Sequence, residues 1–485
     1  MSLLHNALMV LDPDSCYQAV KSHDARFDGR FFTGVTSTRI YCRPVCTAKV
    51  PKRENCRFFA SAAAAENAGF RPCLRCRPEL APGNASVDAT QRLAQAAASL
   101  IEDGIATGNG LAHIAAQLQV TDRHLRRVFE AQFGVAPIAF AQTQRLLLAK
   151  RLLTDTNLPA TDIAFASGFQ SLRRFNALFK ERYRLTPSAL RKAAPRRTTQ
   201  DVFTFELAYR PPLDWTRLLA FLSKRSVATV ESVENLTYQR TLRIVDGAVT
   251  HTGWIEVDQH PSKSVVKVRV AATLSKVLPQ VLARVKRVFD LSCQPQEIVA
   301  VLGPWARPRA GLRLPGTFDG FELAVRAVLG QQITVRAATT LAGRFASAFG
   351  DAVTTPYPAL QRVFPSAQAV TMRSTEDIAK LGIIATRART IRALAQAIAD
   401  KNLVLEPSAN VEGTLATLKD IPGIGDWTAQ YIAMRALAWP DAFPHTDYGV
   451  MKAMNETNAK QVLAQAEAWR PWRAYAVMHL WNSLE

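Results

Sequence analysis

Four cysteines stand in two close pairs. Tyr41-Cys-Arg-Pro-Val-Cys46 and Pro72-Cys-Leu-Arg-Cys76 give a Cys-x3-Cys step, an interval of 26 residues and a Cys-x2-Cys step. Each short spacer lets one tight turn offer two sulfurs to the same ion, so Cys42, Cys46, Cys73 and Cys76 suit one tetrahedral Zn²⁺. Disulfides are the weaker reading: seven cysteines in 485 residues, six of them at or before Cys76, do not make a disulfide scaffold. Cys16 and Cys56 stand alone and are expected to be buried apolar residues. A four-thiolate zinc centre carries net negative charge and keeps its sulfurs deprotonated. Arg39, Arg43, Lys49, Lys52, Arg53, Arg57, Arg71, Arg75 and Arg77 flank it, a surface able to approach a phosphate backbone. A zinc thiolate held on DNA could attack a methyl group on a damaged phosphate. The plainer role is a structural staple for a section of about 80 residues, too small to bury much core.

A second constellation lies near the C-terminus. Ile421-Pro-Gly-Ile-Gly-Asp426 precedes a helix expected to start near Trp427. The turn at Gly423 and Gly425 exposes backbone N–H groups close to that helix's N-terminus, which can bind a DNA phosphate without reading sequence. Downstream, Ala442-Phe-Pro-His-Thr-Asp-Tyr-Gly449 forms a loop that presents Asp447.

The elements that must position these groups follow from pattern. Residues 88–192 read almost wholly helical. Leu111–Phe129 contains helix, turn at Gln119–Thr121, and a second helix. Ala112, Ala115 and Ala116 permit close helix packing. Leu111, Ile114, Leu118, Val120, Leu125, Val128 and Phe129 supply the shared core, and Thr121 or Asp122 caps the second helix. That helix exposes Arg123, His124, Arg126 and Arg127. Asp162–Phe179 repeats the plan with Gly168 at the turn, exposing Gln170, Ser171, Arg173, Arg174 and Asn176. Two helix-turn-helix units can enter successive major-groove segments. Val202–Leu207, Tyr238–Val245 and Ser264–Leu274 read as strands, with helices at Leu213–Lys224 and Leu278–Phe289. From about Phe318 onward the pattern is helical again.

The charge agrees with a polyanionic partner. The chain carries 60 Lys+Arg against 40 Asp+Glu, a net +20. Residues 1–200 hold 28 basic and 15 acidic residues, a net +13, so the excess is denser there. No run of eighteen apolar residues exists, so no membrane span is expected. The N-terminus has no positive n-region, and a cytoplasmic location is expected.

The first section resembles the N-terminal methyl-acceptor domain of Ada-type proteins through Phe31-Phe-Thr-Gly-Val35, Tyr41–Cys46 and Gly69-Phe-Arg-Pro-Cys-Leu-Arg-Cys76. The resemblance implies that Cys42 takes a methyl group from a phosphotriester, irreversibly. Methylation would reduce the negative charge of the centre and relieve its repulsion from DNA, an electrostatic switch. The helical section resembles the AraC-type DNA-binding domain, including Phe133-Gly-Val-Ala-Pro137 and Tyr183-Arg-Leu-Thr-Pro187. Ada-type activators join these two modules in this order.

Residues 201–485 resemble AlkA-type 3-methyladenine glycosylases of the helix-hairpin-helix superfamily. The match covers Tyr209–Trp215, Gly311–Gly316, Phe318–Glu322, Arg326–Gln332, Pro422–Ala429 and Arg470–Arg473. It implies Asp447 as the catalytic carboxylate, Phe221, Trp427, Tyr431, Tyr448 and Trp481 as aromatic walls, and Gln332 as the wedge that fills the vacated base site. An N-alkylated purine is cationic and already a good leaving group. Cleavage then needs a flipped base, electron-rich walls, a stabilised oxocarbenium-like sugar and a positioned water. Trp427 stands where lyase relatives place a lysine, so no Schiff base forms and a monofunctional enzyme is expected. No Pro-Cys-His-Arg motif marks a second alkylguanine site.

The expected fold is multidomain and mainly α with α+β parts. It comprises a small zinc α+β domain at 1–85, an AraC-type double helix-turn-helix at 86–193 and a linker at 194–200. An α+β antiparallel-sheet subdomain at 201–290 and an all-α helix-hairpin-helix core at 291–485 complete it. The expected activity is excision of alkylated bases together with methyl-switched transcription. Partners would be alkylated and operator double-stranded DNA and RNA polymerase, with zinc as cofactor, no membrane, and a monomeric state. Two alternatives stay open: a regulator whose glycosylase section only binds DNA, and a repair enzyme whose N-terminal half only tethers it.

Overall fold

A computed structural model of the chain describes residues 12–83, 89–102, 110–118, 120–192, 201–407 and 410–484. The N-terminal stretch 1–11, Asn84–Ser86 of the first boundary, Gln119 and the linker 194–200 lie outside the described residues. Among the described residues, no helix is long and apolar enough to cross a membrane. The chain forms two compact units, one of residues 1–211, 275–283 and 291–294, the other of 212–274, 284–290 and 295–485.

In the first unit, strands Phe32–Val35, Ile40–Cys42, Cys56–Phe59 and Arg71–Pro72 make one four-stranded sheet. The first of them pairs antiparallel with the second and third, while Ile40–Cys42 runs parallel to Arg71–Pro72. Helix Ala62–Asn67, capped by Ser61, covers it. Phe32, Tyr41, Ala62, Ala65 and Phe70 form a core that also takes in Leu147 from helix Pro137–Asp155. The zinc-type section and the helical section thus share one apolar cluster. Cys16 and Cys56 are buried as expected, and burial pushes the Cys16 thiol up to about 11.

The two helix-turn-helix units are Gly110–Gln117 with Asp122–Phe133, and Ala160–Ala166 with Leu172–Tyr183. Thr121 caps the first recognition helix, accepting from the His124 N–H, and Ser171 caps the second. One packing expectation fails. Ala115 is buried, but Ala112 and Ala116 are exposed, because Ile114 and Leu118 already fill the face toward the second helix.

Polar groups also join the two sections. Buried Glu66 accepts from Tyr41 Oη at 3.0 Å, Thr143 Oγ1 at 3.1 Å and Tyr183 Oη at 3.3 Å. Glu79 pairs with buried Lys150 at 2.7 Å and with Arg77, which reaches Asp155. Burial raises the Glu66 carboxyl to about 7 against bonds from Tyr41 and Thr143 and the charge of Arg182, which pull it down. The unfolded chain releases that proton near the ordinary 4.5, while the folded chain keeps it until about 7. The folded state is therefore favoured below this window and loses on the order of 3 kcal/mol as pH rises through it. Glu66→Gln should remove that slope. Thermal melts of variant and wild type should show the variant gaining relative stability from acid to neutral pH and a constant difference above neutrality.

In the second unit, Glu231–Glu234, Thr237–Asp246, Val249–Gln259 and Val265–Ala271 form an antiparallel meander. Val249–Gln259 was not expected as a strand, although its hairpin signal was present. Asp246 pairs with Val249, and Gly247 turns between them at φ 59°, as a two-residue hairpin loop with glycine first requires. The stretch from Ser264 ends its strand at Ala271 and tightens into a 3₁₀ turn at Ala272–Val277. Helices Gly320–Leu329, Val335–Phe349, Ala385–Ala399, Val411–Asp420, Asp426–Arg435 and Arg473–Ser483 build the rest of the core.

Candidate active site and metal centre

The parallel pairing of Tyr41 with Pro72 puts the two cysteine turns side by side. The Cys73 N–H donates to Tyr41 O at 3.0 Å, and the Cys46 N–H closes a tight turn on Arg43 O at 3.1 Å. The four Sγ atoms all lie within 4.8 Å of one another. A tetrahedron with Zn–S near 2.3 Å has edges of about 3.8 Å, so this all-thiol donor set fits zinc. Cys46 and Cys73 are buried, whereas Cys42 and Cys76 are partly exposed. The basic surround is thinner than its sequence implied. Arg43 is buried, gives its Nε to Asp28 at 2.8 Å and an Nη to Cys76 O at 3.1 Å. Arg77 is held by Glu79 and Asp155. Arg39, Lys49, Lys52, Arg57 and Arg75 stay exposed.

Both recognition helices present their expected cations. Arg123, Arg126, Arg127, Arg173 and Arg174 are exposed. Arg126 pairs with Asp122 one turn back at 2.9 Å, and Arg127 Nη2 meets the His124 ring at 3.2 Å.

In the second unit a cavity of about 420 Å³ is lined by Trp427, Tyr431, Asp447, Tyr448 and Trp481, together with Arg225, Arg326 and Arg435. That volume is within the roughly 300–1,000 Å³ of small-molecule sites. Asp447 caps helix Tyr448–Ala453, its Oδ1 accepting from the Val450 N–H at 3.0 Å. Trp481 Nε1 donates to the same oxygen at 2.8 Å, and Trp427 Nε1 donates to Oδ2 at 2.9 Å. The two indoles therefore orient the carboxylate as well as wall the cavity. Tyr431 lies flat on Trp427, centroids 5.4 Å apart and planes 8° from parallel. Phe221 does not line this cavity. It lines a smaller neighbour and stacks behind Trp481 at 6.4 Å and 15°. Tyr448 is 79% exposed, at the rim.

The hairpin is built as its glycines demand. Gly423 has φ 93°, and a Cβ there would sit 2.2 Å from Thr390 Oγ1, the hydroxyl that donates to Pro422 O at 2.8 Å. Gly425 has open space beside it, and helix Asp426–Arg435 starts with no side-chain cap. Its first N–H groups thus have no capping side chain as partner, the condition for binding an anion there. Asp426, acidic beside that site, is drawn to Lys419 and His445 at 3.6 and 3.7 Å. Gly423→Ala should cost about 1–3 kcal/mol of stability and weaken non-specific duplex binding. Paired thermal melts and salt-dependent titrations would check this. Gln332 is exposed and left-handed at φ 54°. Its neighbour Gln331 braces the hairpin, donating Nε2 to Gly423 O at 2.8 Å and Thr428 Oγ1 at 3.0 Å.

Three site residues escaped the sequence reading: Arg225, Arg326 and Arg435. The signal existed for two. Trp427, Tyr431 and Arg435 recur every fourth residue on one helix face, and Arg225 follows Phe221 at the same step. Arg435 donates Nη1 to Tyr431 Oη at 2.8 Å and fastens to Pro315 O and Gly316 O. Arg225 lies 3.7 Å over the Phe221 ring. Arg326 pairs with Glu231 at 3.1 Å and Glu322 at 2.9 Å.

Comparison with known families covers most of the chain. The metal binding domain of Ada matches residues 15–79, a helix-turn-helix domain 114–193, the AlkA N-terminal domain 204–319, and the HhH-GPD superfamily of base excision DNA repair proteins 325–472. The chain is 38% identical over 491 residues to the probable bifunctional transcriptional activator/DNA repair enzyme AlkA of Mycobacterium tuberculosis, covering 98% of this chain and 97% of that protein. It is 34% identical to DNA-3-methyladenine glycosylase 2 of Escherichia coli, over 57% of this chain and 96% of that one. The solution structure of the E. coli Ada protein in complex with DNA is 36% identical, covers 28% of this chain and 93% of that one, and superposes with a TM-score of 0.14.

Proposed function

The chain belongs to the family of bifunctional transcriptional activator/DNA repair enzymes that join an Ada-type metal-binding domain to an AlkA-type glycosylase, and from that premise we propose a job for each of its sites. The protein excises alkylated bases of the 3-methyladenine type from double-stranded DNA by hydrolysis, and it takes methyl groups from DNA phosphotriesters onto Cys42 to switch on transcription. Residues 1–85 accept the methyl group and 86–193 read the operator. Residues 194–200 link them to an α+β subdomain at 201–290 and a catalytic core at 291–485. The protein acts as a monomer in the cytoplasm, with RNA polymerase as the recipient of the activated state.

One observation carries the enzymatic reading: both oxygens of Asp447 are held by indole N–H donors at the wall of an aromatic cavity. The carboxylate is thereby fixed in place before substrate arrives, so it need not reorganise as positive charge develops on the sugar. It also positions the attacking water. Gln332 occupies the gap left by the flipped nucleotide, and the N–H groups after Gly423 and Gly425 hold a nearby phosphate. Arg123, Arg126, Arg127, Arg173 and Arg174 make the operator contacts. Cys42, Cys46, Cys73 and Cys76 hold zinc, which when bound keeps the sulfurs as thiolates. The Cys42 sulfur, on a partly exposed residue of that centre, forms the new S–CH3 bond while the phosphate oxygen leaves with the bonding pair.

The test is incubation of the zinc-loaded protein with alkylated duplex DNA, reading free bases and the mass of the Cys42 peptide together. Released 3-methyladenine and one added methyl on Cys42 are expected. An unmodified Cys42 in zinc-loaded protein would sink the sensing half. Absent base release would sink the repair half.

A further inference from the structure

The cavity presents a charge conflict. A cationic base is the expected guest, yet three guanidiniums border its seat: Arg225, Arg326 and Arg435. Arg326 is balanced. Glu231 and Glu322 take both Arg326 and Arg240 in a buried network, two carboxylates against two guanidiniums. Arg225 and Arg435 have no carboxylate partner among the described residues, since Asp447 is engaged by the indoles. Arg435 bonds carbonyl oxygens and Tyr431 Oη. Arg225 bonds the Phe221 carbonyl at 3.3 Å and faces the same phenol oxygen.

We propose, building on the glycosylase reading above, that Tyr431 is the specificity-determining residue of the pocket: bonded by Arg435 with Arg225 beside it at the cavity wall, it presents an anionic oxygen that selects cationic alkylated bases over neutral ones. The Tyr431 O–H bond breaks and its proton passes to water through the cavity, leaving a phenolate that balances one guanidinium. The ring stays stacked on Trp427, so the charge enriches a face already suited to a cation. Burial opposes the ionisation, but Arg435, Arg225 and Arg326 outweigh it and bring the phenol below the ordinary tyrosine value of 10.0. The charges acting on it are Arg435 from its own helix, Arg225, and Arg326 from helix Gly320–Leu329, and Asp447 and Tyr448 line the same cavity. Glu231 and Glu322 stand behind Arg326.

The experiment uses the full-length zinc-loaded protein and Tyr431→Phe, which keeps the ring and its stack. Steady-state kcat/KM is measured for 3-methyladenine and for hypoxanthine, a neutral base, in the same duplex context across a pH series. In the wild type the cationic-to-neutral ratio should rise as pH climbs toward the ordinary tyrosine range. In Tyr431→Phe the ratio should fall roughly tenfold and lose its pH dependence, the size of one desolvated cation contact. Arg225→Met should displace the wild-type rise to higher pH. A ratio within about twofold of wild type in Tyr431→Phe, or a wild-type ratio flat with pH, would overturn the proposal and leave Tyr431 as a wall. Asp447→Asn serves as the control. Base release that survives it moves the catalytic role off Asp447, and absent base release in the wild type overturns the glycosylase reading itself, outcomes separate from any change in the ratio.

Discussion

Asp447→Asn should lower base release by on the order of 10³-fold or more, with the protein still folded. The substitution removes the charge proposed to face the developing oxocarbenium ion, an interaction worth several kcal/mol in a water-excluded pocket. It keeps the shape and one acceptor oxygen. That oxygen can still cap helix Tyr448–Ala453 at the Val450 N–H, so the loss is chemical rather than structural. The amide nitrogen then faces an indole donor where Oδ2 now accepts from Trp427, and one of those N–H groups loses its partner. Asp447→Ala would add the loss of the cap, about 1 kcal/mol. Single-turnover assays on 3-methyladenine-containing duplex, beside thermal melts, would separate the two effects. Base release near wild-type rate in folded Asp447→Asn protein would mean another group carries the reaction.

Cys42→Ala should abolish methyl uptake outright, because the transfer is stoichiometric and the accepting sulfur is gone. Base release should continue, since the proposed excision site, the cavity at Asp447, belongs to the other compact unit. The comparison that gives this meaning is Cys46→Ala. Cys46 is buried and Cys42 is partly exposed, so loss of Cys46 should damage metal retention without removing the accepting atom. A structural four-sulfur zinc site contributes about 10 kcal/mol or more to folding. Chelation should therefore melt the N-terminal section while leaving glycosylase turnover largely intact. Zinc content, Cys42 peptide mass and base release, read on the same samples, would test all three. Methyl transfer to Cys42→Ala protein would move the acceptor to another sulfur.

Much of this was legible in the residues. Cysteine spacing located the metal centre because a turn of two or three residues leaves sulfurs little choice of partner. The glycine hairpin was legible because close backbone approach restricts residue type, whereas Asp447 was picked out by its loop and by the resemblance to AlkA-type glycosylases, not by the N-cap it makes. Other features depended on contacts distant in sequence. That Arg43 and Arg77 turn inward follows from Asp28, Glu79 and Asp155, and no local pattern announces those pairs. That Phe221 backs Trp481 while Trp427 and Trp481 steer a carboxylate depends on three segments meeting. The strand Val249–Gln259 carried its signal in a two-residue loop rather than in its own alternation.

The knot around Glu66 bears on how damage is found. A sensor on a flexible tether samples every phosphate within reach, at an effective concentration set by chain statistics. Here Tyr41, next in sequence to Cys42, and Tyr183, the last residue of the second recognition helix, share one buried carboxyl. The sulfur of Cys42, proposed as the acceptor, and the second helix-turn-helix unit are thereby fixed in one frame. The distance along the duplex between a methylated phosphate and the operator then becomes a built-in ruler, and a lesion half a helical turn out of phase faces away from the sulfur even when it lies close by.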